Sequence, residues 1–187
     1  FFLYIGLFDP HEPWDAPGEY IDMYDPGYTG EEITYPHYGF WEEFLTEDEL
    51  THIRALYMAE SSMVDHWLGV LLDKVDELGF REDTAVIFTS DHGCLFGEHG
   101  LMGKSLMPET EGGGFLYEAI PMYDEIRRVP LLIRLPRQTE GSRISALVQL
   151  PDLMPTILEM AGLVATESIG GQSRTQALQC GLFVTKD

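Results

Sequence analysis

Cysteine is scarce. Two residues in 187, Cys94 and Cys180, are too few for a disulfide framework, and no Cys-x-x-Cys spacing offers a metal ligand set. Thiols therefore leave the compartment undecided between cytoplasm and the periplasm or cell exterior. No apolar run approaches the ~20 residues that span a bilayer, so no membrane segment is predicted. Basic residues are also few, 11 Lys and Arg against 32 Asp and Glu, for a formal net charge of −21. That imbalance argues against nucleic acid and against an anionic membrane surface as partners. An anionic ligand would then need a local cation, from a metal, Lys104, Arg127 or Arg128. What remains is a globular composition, 44% hydrophobic and 23% charged, long enough to bury a core.

The opening Phe1 to Phe8 is continuously apolar but has no basic flank and no initiator Met, so it does not read as a signal peptide. It reads as a central strand covered on both faces. A chain that begins inside such a strand is expected to be a piece of something longer. A loop rich in Pro, Gly and Tyr runs on to about Phe44, long enough to suggest a functional segment. Thr46-Glu-Asp-Glu49 has the form of a capping box, and Leu50, Ile53, Leu56, Tyr57, Val64, Trp67, Leu68, Leu71, Leu72, Val75 and Leu78 follow at helical spacing. Gly79 suits the C-terminal stop.

Thr84 to Thr89 reads as a buried strand, and its position after a helix favours parallel pairing with the first. Further strands are expected at Val129–Pro136 and Ile144–Gln149, and a helix at Pro151–Gly162, with Pro in its first turns. Asp91 to about Met122 reads as irregular, with a flexible Glu111-Gly-Gly-Gly114 run. The fold class is α/β, a mostly parallel sheet flanked by helices, with 1–163 as an incomplete domain and 164–187 as a poorly defined tail or the start of the next subdomain.

The strand at Thr84–Thr89 runs straight into Ser90-Asp91-His92-Gly93, with Lys104 eleven residues beyond Gly93. Ligands bind at the carboxyl ends of strands in open α/β sheets, so Asp91 and His92 are candidate metal ligands there. An ordinary Asp/Gly turn is the plainer reading of that dipeptide alone. Lys104 supplies a charge suited to an oxyanion. His11, taken alone, reads as a turn histidine, and Cys94 as a small buried filler.

Five motifs change those odds by their order: Asp9-Pro-His-Glu-Pro-Trp14, Ser90-Asp-His-Gly93, Gly97-Glu-His-Gly-Leu-Met-Gly-Lys104, Tyr123-Asp-Glu-Ile-Arg-Arg-Val-Pro-Leu-Leu-Ile-Arg134 and Asp152-Leu-Met-Pro-Thr156. Together they resemble the type I sulfatases of the alkaline phosphatase superfamily, in the second part of the catalytic domain. The resemblance implies Asp91 and His92 as metal ligands, and a divalent cation, most readily Ca2+, with Mn2+, Zn2+ or Mg2+ as alternatives. It implies Lys104 on the sulfate oxygens and His11 beside the ester oxygen. His99 stands better as a structural group than as a ligand, and Arg127 as a partner of Asp124.

The family's formylglycine arises from a Cys- or Ser-x-Pro-x-Arg motif. Neither Cys94 nor Cys180 has that context, so the nucleophile is expected in a part this chain lacks, and the chain alone is expected to be inactive. The implied substrate is a small-molecule or carbohydrate sulfate ester, and a homo-oligomer stays open. The rival readings are a phosphonate monoester or phosphodiester hydrolase of the same superfamily, and a non-catalytic fragment with a residual cation site.

Overall fold

The computed structural model describes residues 1–108, 113–114, 116–164 and 170–180. They fall into two compact units, Phe1–Pro136 and Arg137–Asp187. Part of the glycine run, Glu111-Gly112, and most of the tail after Val164 lie outside the described residues.

In the first unit the elements are α1 (Gly18–Ile21), β1 (Gly39–Phe40), α2 (Glu47–Glu77), β2 (Val86–Thr89), β3 (Leu95–Phe96), β4 (Leu101–Gly103), α3 (Asp124–Arg127) and β5 (Leu131–Arg134). Helix α2 starts where the capping box places it. The Thr46 amide donates to Glu49 Oε2 at 2.7 Å, and the Glu49 amide donates to Thr46 Oγ1 at 3.3 Å. It ends at Gly79, whose φ of +77° suits glycine. Only its first half is covered: Leu50, Ile53, Leu56 and Ala59 are buried with Trp14, Leu45 and Met102, whereas Trp67 and Leu78 are exposed.

The α/β class holds, but the strand pairing differs from expectation. β2 pairs antiparallel with β5, from Val86–Arg134 to Thr89–Leu131, and β1, β4 and β3 form a second antiparallel sheet. The parallel expectation required Phe1–Phe8 as a partner. That segment forms no ladder among the described residues and is largely exposed, with Phe1 90% accessible. A strand exists only by pairing, so an apolar run without a partner stays unregistered. Its Ile5, Leu7 and Phe8 instead line a shallow apolar groove of about 260 Å3 with Met63, Val64, Trp67, Leu68 and Leu71 of α2. Ile144–Gln149 likewise forms no strand. Asp91–Met122, expected to be irregular, holds β3 and β4, and the loop beyond Lys104 closes on itself through a Leu106–Glu118 bridge.

The second unit holds α4 (Leu153–Met160), entered through a short 3-10 turn at Leu150–Asp152, and α5 (Thr175–Cys180). Asp152 is its hub. This buried carboxylate accepts from the Gln172 amide at 2.7 Å, Arg174 Nε at 2.9 Å and the Gln149 amide at 3.2 Å. The Gln172 amide, opposed by burial and joined by Gln149 and Arg174, holds its pKa below the usual range.

Candidate active site

The loop after Phe8 is fixed from several sides. The His11 amide donates to the Phe8 carbonyl at 3.0 Å, and the Trp14 amide donates to Thr34 O at 2.9 Å. The Trp14 indole, 1% exposed, donates to Pro10 O at 3.0 Å and packs against Tyr57 and Phe96. Trp14 is therefore a core anchor. Tyr38 is also buried, and Tyr28 stacks on His52 at 3.6 Å.

The structure brings His11 and Lys104 together. Lys104 Nζ stands 2.9 Å from His11 Nε2, and His11 Nδ1 stands 2.8 Å from the Glu12 carbonyl oxygen. A carbonyl only accepts, so Nδ1 carries the proton. Nε2 of the neutral ring then accepts from the lysine ammonium. Lys104 reaches this position because Gly103 ends β4 at φ +94°, where a side chain would strain the backbone and its Cβ would lie 2.3 Å from the Tyr38 ring.

Asp91 and His92 follow β2 at its carboxyl end. The Asp91 side chain is 82% exposed, and its Oδ1 accepts the His92 amide at 2.8 Å. Partial burial pushes its carboxyl up. The His92 amide, the His92 ring, its own amide and the Lys104 charge more than offset this and hold it below the usual carboxylate range. His92 Nδ1 donates to the Gly93 carbonyl at 3.0 Å, and Nε2 stands 3.5 Å from Asp91 Oδ2. Two donors that each bind one cation at about 2.0–2.6 Å stand about this far apart. A carboxylate oxygen and an imidazole nitrogen at this spacing therefore fit a divalent cation that displaces any proton from Nε2. Among the described residues no group of three or more His, Cys, Asp or Glu side chains completes such a site.

Cys94 is the filler, not a metal-proximal thiolate. Burial and the nearby Glu12 charge push its thiol up to about 12, against a smaller opposing effect of Lys104. A thiol raised this far in the folded state ionises more readily when unfolded. Its stabilisation is complete below pH ~9 and is lost as pH rises toward 12. The native protein should resist alkylation at Cys94 at pH 8 and react there only on unfolding, which mass spectrometry of iodoacetamide-treated protein would read.

His99 is structural, as expected: it stacks on Tyr123 at 3.7 Å and pairs with Glu125 at 3.3 Å. Arg127 pairs with Asp124 at 2.6 Å, while the Arg128 side chain is exposed. Motif reading assigned no role to Glu12, which is 4% exposed with Oε2 3.4 Å from His11 Nδ1. Nor did it mark Glu60, 1% exposed on α2. The signal for Glu60 was present: it lies four residues after Leu56 and seven after Ile53, on the apolar stripe.

The α/β scaffold thus presents a His–Lys contact beyond β4 and an Asp–His pair beyond β2. The comparisons show which family it belongs to. Residues 1–163 match the sulfatase family model, and the chain belongs to the sulfatase family. It is 38% identical to an arylsulfatase K from Xenopus laevis over 128 residues, covering 68% of this chain and 21% of that protein. It resembles a solved structure in complex with its substrate D-glucosamine-2-N,6-O-disulfate, with a TM-score of 0.59 and 29% identity, covering 74% of this chain and 25% of that one. It also resembles a phosphonate monoester hydrolase of Agrobacterium radiobacter, with a TM-score of 0.64 and 25% identity over 91% of this chain and 36% of that one. The chain spans between 21% and 36% of the length of the curated relatives it matches. Sulfatases generally use a divalent metal and a formylglycine.

Proposed function

We propose that His11, Lys104, Asp91 and His92 are one part of the active site of a sulfate monoester hydrolase, acting on a sulfated carbohydrate, with residues 1–163 as the catalytic portion and 164–187 as a tail. The observation that carries this reading is the 2.9 Å contact between Lys104 Nζ and His11 Nε2, made across 93 residues of sequence. It sets a fixed cation against a titratable nitrogen, and a departing sulfate ester needs both. Lys104 would hold negative sulfuryl oxygens. In its protonated form, His11 would donate from Nε2 to the ester oxygen as that oxygen leaves. An anion between the two side chains offsets the repulsion that two adjacent cations would otherwise feel.

Asp91 and His92 would hold the divalent cation, which supplies further positive charge to the same oxygens when bound. The exposed carboxylate favours a hard ion such as Ca2+, with Mn2+, Zn2+ and Mg2+ as the alternatives to be titrated. Two donors chelate weakly by themselves, so tight binding requires ligands beyond those described. The chain contains no Cys- or Ser-x-Pro-x-Arg motif for a formylglycine. The 187-residue chain alone is therefore predicted not to turn over arylsulfate.

A second reading, phosphonate monoester hydrolysis, draws on the likeness to the Agrobacterium enzyme at a TM-score of 0.64. Sulfate and phosphonate esters share tetrahedral geometry, so a panel separates the readings. The intact protein should turn over glucosamine 6-sulfate or an aryl sulfate faster than an aryl phosphonate or a phosphodiester. The reverse ranking would move the assignment to phosphoryl chemistry. Turnover of none would leave the non-catalytic cation site.

A further inference from the structure

His11 is asked to do two things that conflict. To donate from Nε2 to a departing ester oxygen its ring must be protonated, yet Lys104 Nζ stands 2.9 Å from that same nitrogen. A fixed cation this close disfavours the imidazolium form. The neutral ring, with Nε2 accepting from the ammonium, is the form that the lysine alone selects.

The opposing charge lies one residue further along the chain. Glu12 Oε2 stands 3.4 Å from Nδ1, the other ring nitrogen. The Glu12 side chain is 5% exposed and the His11 side chain 36%, so the carboxylate is shielded from solvent while the ring stays open to a substrate. Nδ1 already gives its proton to the Glu12 backbone carbonyl at 2.8 Å. The carboxylate therefore acts on the ring as a charge and not as its hydrogen-bond acceptor. Among the described residues this is its one ion pair, and a buried carboxylate without a cation is costly. The remaining neighbour of the ring is Phe8, tilted by 38° at a centroid distance of 4.7 Å, which brings no charge. Coulomb energy falls as the inverse of distance, so opposite charges at 3.4 and 2.9 Å act on an imidazolium with comparable strength. Screening favours Glu12, because its charge is buried while Lys104 is only half-buried.

We infer that Glu12 is a positioning residue for the His11 proton: its buried carboxylate offsets the Lys104 charge, so that the ring carries a proton on Nε2 while the lysine stays charged. This inference rests on the reading of His11 and Lys104 proposed above. As the sulfur–oxygen bond of the ester breaks, the ester oxygen keeps the bonding pair and takes the Nε2 proton. The ring returns to its neutral form with its remaining proton on Nδ1. Water is the second reactant of the hydrolysis, and the sulfuryl group ends as sulfate.

The test compares Glu12→Gln and Lys104→Ala with the unmodified intact protein. Each is read by NMR titration of the 15N-labelled His11 ring, by melting temperature and by turnover of two sulfate esters. Glu12→Gln keeps the shape and removes the charge. It should lower the midpoint of His11 protonation by about one pH unit or more, the size of a lost charge partner, and Lys104→Ala should raise it. For glucosamine 6-sulfate, whose alkoxide needs a proton to leave, Glu12→Gln should lower kcat by about 100-fold, a typical loss of general acid catalysis. For 4-nitrophenyl sulfate, whose phenolate is stable without that proton, the loss should stay below about 10-fold. A His11 midpoint unmoved by Glu12→Gln, or equal losses on both esters, would overturn the inference whatever the melting temperature does. If the intact protein turns over neither ester, the proposed reaction fails, while the NMR titration still decides the role of Glu12. Should Glu12→Gln not fold, Glu12→Asp, which draws the same charge back from Nδ1, should lower the midpoint by a smaller step. An unchanged midpoint there would count against the inference in the same way.

Discussion

Lys104→Ala in the intact protein is expected to lower kcat/KM for a sulfate ester by about 10²–10³-fold, the loss seen when one oxyanion donor is removed. Two effects combine in that loss. The ammonium that would meet the sulfuryl oxygens disappears, and His11 Nε2 loses the donor 2.9 Å away that holds its tautomer. Stability should change little, because Lys104 is only half-buried and follows β4 without carrying core contacts. The melting temperature should stay near that of the unmodified protein. Lys104→Arg should not rescue activity fully, since a planar guanidinium cannot replace a point charge aimed at one ring nitrogen. Full activity in Lys104→Ala would remove the residue from the proposed site.

Gly93→Ala should have the largest structural effect of any single methyl added near the site. The Gly93 amide donates to Ile126 O at 2.7 Å, and a Cβ at this position would lie 1.9 Å from the Glu125 carbonyl oxygen. That neighbour is backbone, so no rotamer change relieves the overlap. Helix α3 must move away from the Asp91–His92 turn. The expected cost is about 2–4 kcal/mol, in the range of severe overpacking, read as a lowered midpoint in denaturant unfolding. Asp91→Ala, by contrast, removes an exposed carboxylate and should leave the midpoint near its original value while weakening Ca2+ binding in calorimetric titration. A Gly93→Ala protein as stable as the original would mean that α3 does not pack here.

Much of this arrangement is legible in the residues, and the rest fails for physical reasons. The capping box at Thr46 is local chemistry, so four residues suffice to announce it. β2 and β5 were visible because each is an apolar run bounded by turns. Their antiparallel pairing was not visible, because a run does not encode its partner. Phe1–Phe8 shows the same limit, since its apolarity suits a central strand while its backbone forms no ladder among the described residues. β1, β3 and β4, two or three residues each, are too short to show any alternation. At the site, Asp91 and His92 follow from their place after a strand. The meeting of His11 with Lys104 could be anticipated only from the family's motif order. Glu60 was overlooked because a carboxylate on a helix is usually solvated; its place on the Ile53–Leu56 stripe was the contrary sign.

The central claim is that His11 and Lys104 act as one unit on an anionic ester. A double-mutant cycle measures this directly: kcat/KM for an aryl sulfate in the intact protein, His11→Ala, Lys104→Ala and the double variant. If the pair acts as a unit, the double variant should be about as slow as the worse single variant. Losses that multiply would mean that two independent residues merely stand close together, and the account would be wrong.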